Sequence, residues 1–163
     1  MGMVSSWWQA TDAQIAAFEA DPSGLDELFE SDGEGFYLDK AWHGIHFLLT
    51  GTAFGGDGPL ASILFGRSLG DAVEKDGAIA SHALTSAEVR AFDDALSRIT
   101  VEEFAGRFDP RAMMKAEIYP DFWDDALTGE EYVLEYLVDY YEKLRGGIRA
   151  TREKGLGLIT YAG

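Results

Sequence analysis

The chain has 163 residues, 47% of them hydrophobic, with 29 acidic and 13 basic side chains, a formal net charge of -16 and no cysteine. That length suits one domain burying roughly 68–70% of its unfolded surface; without cysteine there are no disulfides, thiolate metal sites or thiol nucleophile, which fits a reducing, cytoplasmic compartment. A field of this sign repels phosphate backbones and anionic lipid heads, arguing against nucleic acid and membrane partners and for a basic protein or divalent cations, although the same charge also serves solubility alone.

No run approaches the roughly 18 apolar residues of a membrane span. Residues 1 to 39 hold nine acids and no Lys or Arg, so the basic start of an export signal is not expected. In chain order, Met3 to Gln9 reads as a strand, rich in Val and Trp without a helical period. Thr11 with Gln14 forms a capping-box pattern for a helix over 12–20, which Asp21-Pro22 stops. Ser23 is placed to cap a second helix that buries Leu25, Leu28 and Phe29 and ends at the turn 31–35.

A helix over 39–50 follows, then a glycine-rich loop to Pro59. Ile63-Leu64-Phe65 reads as a short strand or helix end, and Ala78 to Leu84 as another strand. Thr85 with Glu88, Thr100 with Glu103 and Thr128 with Glu131 repeat the capping-box pattern and predict three helices, with one more over 110–118. The last and longest runs from Gly129 to about Lys154, with Val133, Leu137, Tyr140, Leu144 and Ile148 as its inward stripe. Its acids lead and its bases follow, as the helix dipole favours, and Leu156 to Tyr161 closes the chain as a strand.

Candidate chemistry concentrates in the helix over 39–50. On a helical wheel Asp39, His43, His46 and Thr50 fall within about 60° of one another, beside an apolar stripe of Leu38, Trp42, Ile45 and Leu49. Asp39 orienting His43 as a general base is one use of such a ridge; His43 and His46 as two imidazole ligands of a divalent metal is another. A third ligand is needed: His82 is the one remaining histidine, and any of the 29 carboxylates could serve as well. The same residues also fit a structural role, with His46 packed near Trp42 and donating to a carbonyl while Asp39 caps the helix. The glycine-rich loop lacks the lysine of a phosphate-binding loop and reads instead as a cover over the ridge.

Arg145, Arg149 and Arg152 could hold an anion, although dipole compensation accounts for them without a ligand. Tyr119-Pro120, Phe122 and Trp123 stand beside Asp121, Asp124 and Asp125, as either an exposed aromatic cluster for a basic partner or a small core under a loop. Trp42, Thr50, Tyr119 and Trp123 are therefore the binding-surface candidates. No motif commits the chain to catalysis or to a cofactor.

The Met-Gly-Met start, Leu38 to Gly51 and Glu117-Ile118-Tyr119-Pro120 together resemble the YfbM-like family of bacterial domains of unknown function, nearly end to end. The resemblance implies a cytosolic bacterial domain with an α+β fold and supplies no catalytic residues. The residues themselves lead to a single α+β domain over 1–163, about six helices on a small mixed or antiparallel sheet that includes both terminal strands. The expected function is an acidic protein-binding module, monomeric or homodimeric, for instance an antagonist of a basic toxin or nuclease. The alternative is a small enzyme or metal protein using Asp39, His43 and His46.

Overall fold

The computed structural model describes residues 2–64, 66–69, 79–125 and 127–163. Its strands are β1 (Ser5–Ala10), β2 (Gly35–Asp39), β3 (Arg67–Ser68), β4 (Ile79–Leu84) and β5 (Gly157–Ala162). They form one antiparallel sheet in the order β2-β1-β5-β4-β3. The two terminal strands pair along their whole length, Ser5 opposite Ala162 and Ala10 opposite Gly157, so the chain closes on itself through its own ends.

Because successive side chains of a strand point to opposite faces, the sheet carries two cores. Trp7, Leu84 and Leu158 face the larger one, built with α3 (Trp42–Thr50), α4 (Ser86–Leu96), α5 (Val101–Gly106), α6 (Pro110–Lys115) and α7 (Glu130–Glu153). Ala83 and Ile159 face the smaller, where α1 (Asp12–Ala20) and α2 (Leu25–Phe29) bring Ile15 and Leu25. The single α+β domain expected from the sequence is thus observed, with seven α-helices among the described residues.

The boxes at Thr11, Thr85 and Thr100 form as read, each threonine hydroxyl accepting the backbone N–H three residues on. The one at Thr128 does not: its hydroxyl donates to Asp125 Oδ2 at 2.7 Å, and α7 starts behind Gly129 with no side-chain cap. Ser23 is not a cap either. Asp21 accepts the Ser23 N–H at 3.1 Å and caps a short 3-10 turn over Pro22–Gly24, which leads into α2. Ile63 and Leu64 lie in a turn, while Phe65 and Ala78 lie outside the described residues.

Two further corrections matter for the site. The helix expected from Asp39 begins only at Trp42: residues 35–39 pair with β1 as an edge strand, and Asp39 leaves it with φ 48, in the left-handed region. On α7 the buried aromatic is Tyr141, not Tyr140; at 3.6 residues per turn both positions are eligible after Leu137. Tyr141 wins because its ring stacks on Phe104 at 3.9 Å and its hydroxyl donates to the Ile99 carbonyl at 2.8 Å. Tyr140 turns to the flank of the helix.

Candidate functional site

The α3 segment is buried almost throughout, and its histidines are 1% (His43) and 0% (His46) exposed. Gly44 lets the helix approach α7 so closely that a Cβ there would overlap Trp123 and Leu137. His43 therefore sits inside a packed seam. Its Nε2 is 2.8 Å from the Ala53 carbonyl and its Nδ1 is 2.9 Å from the Tyr119 N–H. A carbonyl only accepts and an amide only donates, so the proton is on Nε2 and the ring is neutral.

That neutral ring ties α3 to the loop over 51–58 and to the Tyr119-Pro120 turn, whose peptide bond is cis. Trp42 stacks on one side of it, with centroids 5.0 Å apart and planes at 10°, and Phe54 of the loop covers it at 4.7 Å. Burial lowers the His43 pKa, opposed by the bond to Ala53. Burial also lowers His46 to about 4, with the neighbouring His43 adding to the effect and a backbone hydrogen bond to Gly55 opposing it. Both rings thus stay neutral at pH 7, and the glycine-rich loop covers both through Ala53 and Gly55.

Asp39 does not belong to this ridge. From the end of β2 its Oδ1 accepts the Tyr37 hydroxyl at 3.0 Å and its Oδ2 accepts the Tyr136 hydroxyl of α7 at 2.9 Å. Burial, and then the hydrogen bond to Asp39, push the Tyr37 phenol up to about 12 and raise Tyr136 as well. The ridge reading therefore fails at its first residue: Asp39 neither caps α3 nor bonds His43, whose two nitrogens are engaged elsewhere. The pair of His43 and His46 remains, one turn apart. Among the described residues no group of three or more His, Cys, Asp or Glu side chains could hold a metal ion.

His82 lies on β4, 7% exposed, within reach of the Thr160 hydroxyl at 3.0 Å and the Ser62 carbonyl at 3.3 Å, so it does not complete an α3 site. Thr50 closes α3 by donating its hydroxyl to the His46 carbonyl at 2.8 Å. Beside it a depression of ≈ 350 Å³ is lined by residues 47–51 and Arg107, and neither histidine contributes to that lining. Of the binding-surface candidates, Trp42 and Trp123 are 1% and 0% exposed and belong to the core. Trp123 donates to the Ile118 carbonyl at 2.7 Å, while Tyr119 stacks half-buried on Trp42.

The arginines of α7 also find partners that helix-dipole reasoning does not supply. Arg149 Nε lies 2.9 Å from both Asp93 oxygens, and Arg152 reaches Asp93 at 2.7 Å and Asp94 at 2.6 Å, bolting α7 to α4. Sequence reasoning missed Tyr37 and Tyr136 as the partners of Asp39, and Ala53 and Gly55 as those of the histidines. The one signal in the sequence is the spacing of Tyr132, Tyr136 and Tyr140, one turn apart and flanked by acids.

A family model described as a domain of unknown function, DUF1877, matches residues 1–161. The chain belongs to the DUF1877 family. The crystal structure of a protein of unknown function, YfbM from Escherichia coli, is similar at 21% identity over 98% of this chain and 99% of that one, with a TM-score of 0.76. That likeness is one of fold, and it bears out the YfbM-like resemblance read from the sequence. No curated protein matches. Among the described residues of this DUF1877 domain no helix is long and apolar enough to cross a membrane.

Proposed function

We propose that this DUF1877 domain is a binding module that engages a basic protein through its carboxylate-rich surface, in the manner of an antagonist of a basic toxin or nuclease. The observation that carries the reading is the stretch 116–142, with nine acids and no Lys or Arg. Eight of the nine are exposed, alongside exposed Leu127 and Tyr132. Elsewhere Arg67, Arg149, Arg152 and Lys154 pair with carboxylates of the same chain. The remaining acidic field is long-ranged at low salt and steers cationic partners.

The test is capture from the lysate of its own organism by the immobilised chain, at low and at moderate salt. The expected result is a basic protein retained at low salt and released as salt rises. Retention of nothing at low salt contradicts the proposal. The alternative, an enzyme or metal protein using Asp39, His43 and His46, draws no support from this geometry: the carboxylate is occupied by two tyrosines, and the His43 lone pair a base would use accepts the Tyr119 N–H.

A further inference from the structure

The flank of α7 facing β2 carries tyrosines at 132, 136 and 140, spaced one turn apart, with Asp139 among them and Lys143 one turn beyond. Edge strand β2 adds Tyr37 and Asp39 to the same strip. Its parts are held in place: Tyr37 and Tyr136 both donate to Asp39, and Tyr136 meets Tyr140 edge-on with ring centroids 4.9 Å apart. Tyr132 is 62% and Tyr37 44% exposed, so the strip is open to solvent at these two residues.

One cation already uses this surface. Lys143 places its ammonium 4.2 Å from the centroid of the Tyr140 ring. That ring lies in the field of Asp39 and Asp139, which, after burial, raise its hydroxyl pKa. An aromatic face with adjacent carboxylates attracts cations, and a planar guanidinium stacks there better than a strongly hydrated ammonium on a flexible stem. Tyrosines fixed in advance by hydrogen bonds also lose little freedom on binding, which is why such residues dominate protein interfaces.

We infer that this tyrosine–aspartate strip of α7 and β2 is the docking face for an arginine-bearing segment of a basic partner protein, whose guanidinium displaces Lys143 from Tyr140. The inference rests on the binding reading above and assigns it a place. Charge complementarity selects the occupant, because an acidic or apolar segment would leave Asp39 and Asp139 facing no cation.

The experiment titrates the full chain with a synthetic oligoarginine peptide at low salt, following binding by calorimetry and its location by amide NMR shifts. Lys143→Ala frees the Tyr140 ring, and Lys115→Ala removes the same charge from the exposed end of α6, away from the strip. Lys143→Ala is expected to bind about 2- to 5-fold more tightly than the unaltered chain, and Lys115→Ala to change much less. Tyr140→Leu is expected to weaken binding by a similar factor, with shifts concentrated at residues 37–39 and 132–143. Equal effects of the two lysine substitutions, or shifts centred elsewhere on the acidic surface, would overturn the strip while leaving the binding reading intact. No oligoarginine binding at low salt would overturn both.

Discussion

His46 gives the clearest link between burial and a measurable quantity. Its pKa falls from 6.5 to about 4 in the fold, because burial penalises the charged ring. Unfolding restores the ordinary value, so between those two values the unfolded chain holds a proton that the folded chain lacks, and stability falls as pH falls. The contribution of the neutral ring is whole above 6.5 and is lost progressively toward about 4, where the folded ring itself takes up the proton. From about pH 8 down to about pH 5 this one residue removes about 2 kcal/mol, a range in which ordinary carboxylates stay mostly ionised. His43, lowered by the same cause, adds in the same direction.

The assay is urea unfolding, followed by tryptophan fluorescence, of the unaltered chain and of His46→Leu at both pH values. Comparing each protein with itself cancels whatever the substitution does to packing. The unaltered chain is expected to lose at least about 2 kcal/mol between the two conditions, and His46→Leu to lose about 2 kcal/mol less. Equal losses in the two proteins would refute the claim that His46 is buried neutral.

Other consequences test the staple, the helix packing and the metal reading. His43→Leu strands the Tyr119 N–H and the Ala53 carbonyl and is expected to cost about 1–3 kcal/mol in denaturant unfolding; no cost would mean that the staple does not hold the loop. Gly146→Ala and Gly147→Ala should differ in sign although they are neighbours on α7. A Cβ at 146 meets nothing within 4 Å, and the change is expected to stabilise by about 0.8–1 kcal/mol. A Cβ at 147 would land in the Phe36 ring, for an expected loss of about 1–3 kcal/mol. Histidine ring signals in NMR are expected not to move on adding zinc; specific shifts of His43 and His46 together would revive the metal reading.

What was legible in the sequence was chiefly local. Thr11, Thr85 and Thr100 cap their helices because a box needs residues only three apart, and the aliphatic stripe of α7 follows from its own period, although the period alone did not choose Tyr141 over Tyr140. Thr128 misled because the competing acceptor, Asp125, is equally local and takes the hydroxyl first. Strand β2 was missed because its limits come from pairing with β1 across two helices, and nothing within residues 35–39 announces it.

The placement of Asp39 failed in the same way. A wheel drawn through Asp39 assumes helix, and the left-handed turn at that residue removes it from the face of His43. Its real partner, Tyr136, lies 97 residues away, beyond any spacing argument. The structural use of a histidine, against an indole and a carbonyl, was legible in kind: His43 is the one that stacks on Trp42 and donates to the Ala53 carbonyl, while His46 makes its own backbone hydrogen bond to Gly55. As binding-surface candidates Trp42 and Trp123 failed, but the apolar stripe for Trp42 and the small core under a loop for Trp123 describe where they lie, since tertiary packing decides whether an aromatic beside acids is surface or core.

The role proposed for the acidic surface is to bind a basic protein, and the salt dependence of that binding decides it. With the captured partner purified, affinity is to be measured against the chain and against a Glu131→Lys/Glu135→Lys variant over a range of ionic strengths. Affinity is expected to weaken as salt rises, and the variant to bind less tightly with a shallower salt dependence. Binding indifferent to salt and to the charge reversal, or no partner captured at low salt, would contradict it.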